Sequence, residues 1–109
     1  MATCLDVAQY ILEQLGDTTT IKLQKLVYYC QAWSLVWVSE PLFDDRIEAW
    51  ANGPVAPSLY ETHKGVFAVG ASACIGDSSK LTDRDKQIAD AVLKFYGDKG
   101  AQWLVQLTH

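Results

Sequence analysis

Histidine and methionine are scarce in this 109-residue chain, with two and one, and proline is held to three. Cations are outnumbered: nine Lys and Arg face thirteen Asp and Glu, for a formal net charge of −4. So few cations argue against a nucleic-acid binder that works by neutralising phosphates. The three cysteines, Cys4, Cys30 and Cys74, are far apart and form no C-x-x-C pair. That pattern excludes a zinc ribbon and a thioredoxin-like redox site, and leaves buried free thiols as the expectation for Cys4 and Cys30. No H-x-x-x-H or H-E-x-x-H motif occurs, and Glu61 and His63 stand two apart, off any shared helix face, so no metal set is expected. The P-loop and G-x-G-x-x-G patterns are absent, and "GASAC" (70 to 74) ends in cysteine where a nucleophile elbow needs glycine. No apolar run approaches the ~20 residues that span a membrane. The start, "MATCLDVAQYILEQLGD", lacks the basic region and long apolar stretch of a secretory signal. The expectation is a reducing cytoplasm, no cofactor and no membrane partner.

What is present is apolar and aromatic: 50% hydrophobic residues, including four Trp, five Tyr and three Phe, enough to fill a core without metal or disulfides. Thr3 with Asp6 and Thr82 with Asp85 read as capping boxes, and Gly16 and Gly97 close the helices they open. Leu5, Ala8, Ile11, Leu12 and Leu15 recur at helical spacing, as do Ile88, Ala91, Val92 and Phe95. Between these two lies a long helix, about residues 20 to 38, apolar on most sides and therefore central. Lys22 and Lys25 sit in its first two turns, where the helix dipole disfavours cations, so a negative group is expected near Lys25. Ile47, Ala49 and Ala51 alternate with Arg46, Glu48 and Trp50 as in a strand, Asn52-Gly53 signals a turn, and Pro57 suits the first position of a short helix. A last short helix covers about 101 to 108. The fold class is mainly α: a compact helical domain over residues 1–109. A small β element, with short strands around 46–51 and around 66–69, is inserted after the long second helix.

Functional-looking residues crowd into "IEAWANGPVAPSLYETH", residues 47 to 63. Glu48 or Asp45 with His63 could serve as acid and base, yet a half-exposed strand carrying Glu beside Arg explains the same residues without chemistry. Trp50 falls on the strand phase opposite Ile47 and Ala49. An exposed Trp beside a rigid turn is the composition of a protein-binding hot spot; packing on helix two or the last helix is the other reading. Trp50, Asn52, Tyr60 and His63, with Lys25 nearby, are the candidate partner-binding residues.

The order of three pieces carries a resemblance: "TTIKLQKLVYYCQAWSLVW", then "PLFDDRIEAWANGPVAPSLYETHKG", then a terminal "LTH". It rests on Lys25 to Tyr29, Ala32-Trp33, Leu42-Phe43, Ala49-Trp50, Gly53-Pro54-Val55, Pro57, Leu59-Tyr60 and Leu107-Thr108-His109. In these the chain resembles the Panacea-domain antitoxins, the SocA-like and phage-associated GepA-like proteins of bacteria and prophages. The resemblance implies a bacterial or prophage antitoxin that neutralises a cognate protein toxin by direct contact and has no catalytic centre. The SocA-like member also delivers its toxin to an ATP-dependent protease, which makes such a protease a second implied partner. Tyr28, Tyr29, Trp33, Gly53, Pro54, Val55, Pro57, Thr108 and His109 carry the family signature and read as structural. Relatives usually continue past the "LTH" element, so the expectation is either a short C-terminal tail beyond His109 or a shortened prophage variant. Two other readings stay open: a phage-encoded interaction protein acting on a host factor, and a small ligand-binding protein or hydrolase using a pocket around Tyr28, Trp50, Glu48 and His63. Exposed aromatics also allow a homodimer.

Overall fold

Thr3 opens the first helix as its sequence demands. Its hydroxyl accepts from the Asp6 N–H at 3.3 Å while the Asp6 carboxylate accepts from the Thr3 N–H at 2.8 Å. The computed structural model of the protein describes residues 1–51 and 53–108, with Thr108 as backbone. The readings placed on Asn52, His109 and the Thr108 side chain fall outside it.

Helix α1 (Cys4–Leu15) ends at Gly16, β1 (Thr18–Thr19) follows, and α2 (Thr20–Val38) begins under a Thr19 cap. Leu23, Leu26, Val27 and Cys30 of α2 are fully buried. At ~1.5–3 kcal/mol for each fully buried Leu or Val, this seam dominates the core. Helix α2 touches α1, the short helix α3 (Pro57–His63), α4 (Asp83–Tyr96) and α5 (Ala101–Thr108), which makes it the axis of the fold. Its last turn departs from the expected core helix: Val36 and Trp37 are exposed. Phe95 likewise leaves the expected buried stripe of α4, whose core contacts are Ile88, Ala89 and Val92.

The β structure is two separate ribbons among the described residues. Strands β2 (Glu48–Trp50) and β3 (Gly53–Val55) form an antiparallel hairpin in which Trp50 faces Gly53 and Glu48 faces Val55. Gly53 has φ +105°, the positive-φ conformation the Asn-Gly turn signal calls for. Strand β4 (Ala68–Val69) pairs not with this hairpin but with β1, Thr18 opposite Val69. Two-residue strands carry no readable alternation, so the sequence could not give this pairing. The second surprise is α1. Beyond the apolar repeat, Asp6 and Gln9 are buried too, and residues 70–80 pack on the helix so closely that a side chain at Gly76 would overlap the Leu5 carbonyl.

Candidate functional site

The 47–63 corner is held to α2 by two side chains. Helix α3 starts at Pro57 with Ala56 as its N-cap, a residue with no side chain able to cap. Gln24 instead fastens the N-cap residue itself: its Oε1 accepts from the Ala56 N–H at 3.0 Å and its Nε2 donates to the Ala56 carbonyl at 3.3 Å. Lys25 donates from Nζ to the Pro54 carbonyl at 2.9 Å and fastens β3 in the same way. The negative group expected beside Lys25 is not there: its partner is a neutral backbone carbonyl, and no carboxylate among the described residues pairs with it. Lys25 is only 1% exposed, and burial holds its pKa below the ordinary lysine value.

Tyr60 and His63, three apart on α3, share a face. The Trp50 ring stands edge-to-face on Tyr60 at 5.0 Å, and Tyr60 stands edge-to-face on His63 at 5.4 Å. The Trp50 indole N–H donates to Glu48 at 3.0 Å, and the other Glu48 oxygen accepts from Arg46 at 2.6 Å. These bonds, from Trp50 first and Arg46 second, hold the Glu48 carboxyl below the usual carboxylate range. Trp50 remains 40% exposed and packs its ring on Tyr60 of α3.

His63 is buried, and its Nε2 lies 3.0 Å from Gln24 Nε2. The two Ala56 bonds fix that Gln24 nitrogen as a donor, so His63 Nε2 must accept and the ring proton sits on Nδ1. Burial accordingly holds the His63 pKa below the ordinary histidine value.

Trp50, Tyr60, His63 and Lys25 together line one cleft of about 250 Å³. Gln24 and Lys25 come from its α2 wall, and Ile21 and Val66, both exposed apolar residues, sit on its rim. Tyr28, Glu48, Gly53 and Pro54 instead line a neighbouring, more open hollow that shares Trp50. The four groups of a sequence-level catalytic pocket thus divide between two hollows, with Glu48 in one and His63 in the other. Val55 lines the cleft, and Pro57 serves α3 as its first residue.

Tyr29 and Trp33 belong elsewhere. Tyr29 stacks on Tyr96 at 4.4 Å and Trp33 meets Trp37, Phe95 and Tyr96 at 4.7–5.7 Å, an aromatic cluster joining α2 to α4. Sequence reasoning missed Gln24, Ile21 and Val66. Nothing in the local pattern flags them, because their roles depend on segments that meet only in the fold.

Among the described residues no group of three or more His, Cys, Asp or Glu side chains is placed to hold a metal, and no helix is long and apolar enough to cross a membrane. Neither the curated proteins nor the solved structures yield a match. Residues 23–109 match the family model described as antitoxin SocA-like, Panacea domain. The matched span starts in α2 and takes in both ribs of the hairpin, α3, α4 and α5, leaving α1 and β1 outside it. It contains every candidate residue on the cleft, from Lys25 to His63. The chain therefore belongs to the SocA-like antitoxin family and carries its Panacea domain.

Proposed function

We propose that the protein is the antitoxin of a bacterial or prophage toxin–antitoxin pair and neutralises its toxin in the cytoplasm by direct binding at the Trp50–Tyr60–His63–Lys25 cleft. The observation that carries the reading is the cleft itself: an exposed Trp50 with Ile21 and Val66 on the rim, over a floor of buried, fixed polar groups. Few interface residues carry most of a protein–protein affinity. They are enriched in Trp and Tyr and sit in pockets that a partner side chain can dehydrate. Trp50 and Tyr60 are held edge-to-face before any partner arrives, which lowers the ordering cost of binding.

We read the activity as binding rather than catalysis. The His63 nitrogen that could act as a base already accepts from Gln24, and Glu48 is spent on Trp50 and Arg46 outside the cleft. The reading is tested by co-expressing the chain with the product of its neighbouring gene. The expected result is rescue of growth and a co-eluting complex of defined mass by size-exclusion chromatography with light scattering. A neighbour that is neither toxic nor bound would remove the toxin pairing.

A further inference from the structure

Among the described residues the cleft's lysine has no counter-charge, and none of those lining it is Asp or Glu. Lys25 is 1% exposed, and among the described residues its ammonium, which has three N–H donors, makes one hydrogen bond, to a neutral carbonyl. His63 cannot compensate, because an imidazole is neutral or cationic and its Nε2 already accepts from Gln24. Burying an unpaired ammonium is costly, and a side chain of the same length without charge would fill the space at less cost. The charge is also local: the chain as a whole carries −4, so this one electropositive point on an acidic molecule favours one kind of occupant over its surroundings.

Size narrows the occupant. Sites for drug-sized ligands run to roughly 300–1,000 Å³, and the cleft is about 250 Å³, room for one extended side chain and its neighbouring backbone. Its walls supply an aromatic edge from Trp50 and Tyr60 and apolar rim contacts from Ile21 and Val66. We propose that this cleft receives a single carboxylate-bearing side chain of the protein partner, its oxygens on the Lys25 ammonium and its flanking apolar residues on Trp50, Tyr60, Ile21 and Val66. The exposed apolar rim matches a peptide with an acidic residue between apolar ones. The proposal rests on reading the cleft as the partner-binding edge.

The test uses the isotope-labelled full chain and three probes: the blocked tripeptide acetyl-Leu-Glu-Leu-amide, its Gln counterpart, and 3-phenylpropionate. Binding is followed by the Trp50 indole and His63 ring resonances. The Glu peptide is expected to bind about tenfold more tightly than the Gln peptide, the difference a charge-assisted hydrogen bond makes. Lys25→Met should abolish that preference while keeping native spectral dispersion. If that variant does not fold, the Glu-against-Gln comparison on the unmutated chain still decides the matter. Equal affinity for the two peptides, or no binding by either, would overturn the proposal. Binding of 3-phenylpropionate without the Glu peptide would also overturn it, in favour of a free small acid. A toxin complex with no peptide preference removes only the carboxylate anchor. Peptide preference without any toxin complex removes the pairing and leaves the anchor standing.

Discussion

Gln9, Gln24 and Gln31 each use both ends of one amide to hold the backbone of a distant loop. Gln9 accepts from Ile75 and donates to Ala71, both at 3.0 Å; Gln31 accepts from Leu42 and donates to Phe43, both at 2.8 Å; Gln24 brackets Ala56. In sequence all three look like ordinary polar helix residues. Their partners lie up to 66 positions away, so no periodicity or capping rule could mark them. The candidate cleft residues were legible for the opposite reason: Trp50, Tyr60 and His63 are brought together by one contiguous hairpin and helix. Gln24 also makes His63 a pH-sensitive strut. Its folded pKa lies below the ordinary value of 6.5, because burial disfavours the imidazolium. Above 6.5 the ring is neutral in both folded and unfolded chains and its contribution is fully present. As pH falls through 6.5 toward the folded pKa, the unfolded chain binds more protons and stability is lost. Urea denaturation at stepped pH should therefore show stability falling from pH 7 to pH 5, and His63→Gln should flatten that fall. An unchanged slope in the variant would assign the effect to other groups. Asp6, whose carboxyl burial raises but the Thr3 and Asp77 hydrogen bonds lower more, titrates in a more acidic window.

Among the elements, the helices and the turn of the β2–β3 hairpin were readable, and the β1–β4 pairing was not. The Thr3–Asp6 and Thr82–Asp85 boxes start α1 and α4 where the pattern puts them, because capping is a local contest settled within four residues. The β1–β4 pairing depends on two residues before α2 meeting two residues after α3. The burial of α1 likewise depends on the loop that covers it. Phe95 and Trp37 fit helical core spacing yet remain exposed near the ends of their helices, each with one side on the Trp33 ring. The hairpin turn allows a sharper prediction. Gly53 holds φ +105° opposite Trp50, and an L side chain there is strained. Gly53→Ala should cost about 1–2 kcal/mol of stability in urea titration, against ordinary tolerance at an exposed site. A neutral result would mean that the turn relaxes freely and does not preset Trp50.

On the scale of the whole molecule, two exposed apolar zones share no residue. One surrounds the cleft, with Ile21, Trp50 and Val66; the other joins the ends of α2, α4 and α5, with Trp37, Phe95 and Trp103. The second is braced internally by edge-to-face and tilted ring contacts and by Lys99 over the Trp103 ring at 5.4 Å, whereas the first opens into a hollow lined by the buried Lys25. Of the two, the first combines an apolar rim with fixed polar groups beneath, which is why we propose it as the partner contact. The direct measurement is calorimetric affinity for the toxin of the unmutated chain, Trp50→Ala and Phe95→Ala. The account predicts that Trp50→Ala weakens the complex by about 2 kcal/mol or more, roughly 30-fold, and that Phe95→Ala leaves it within a few-fold. A Trp50→Ala variant that is folded and binds undiminished, while Phe95→Ala loses affinity, would contradict it and move the interface to the other face.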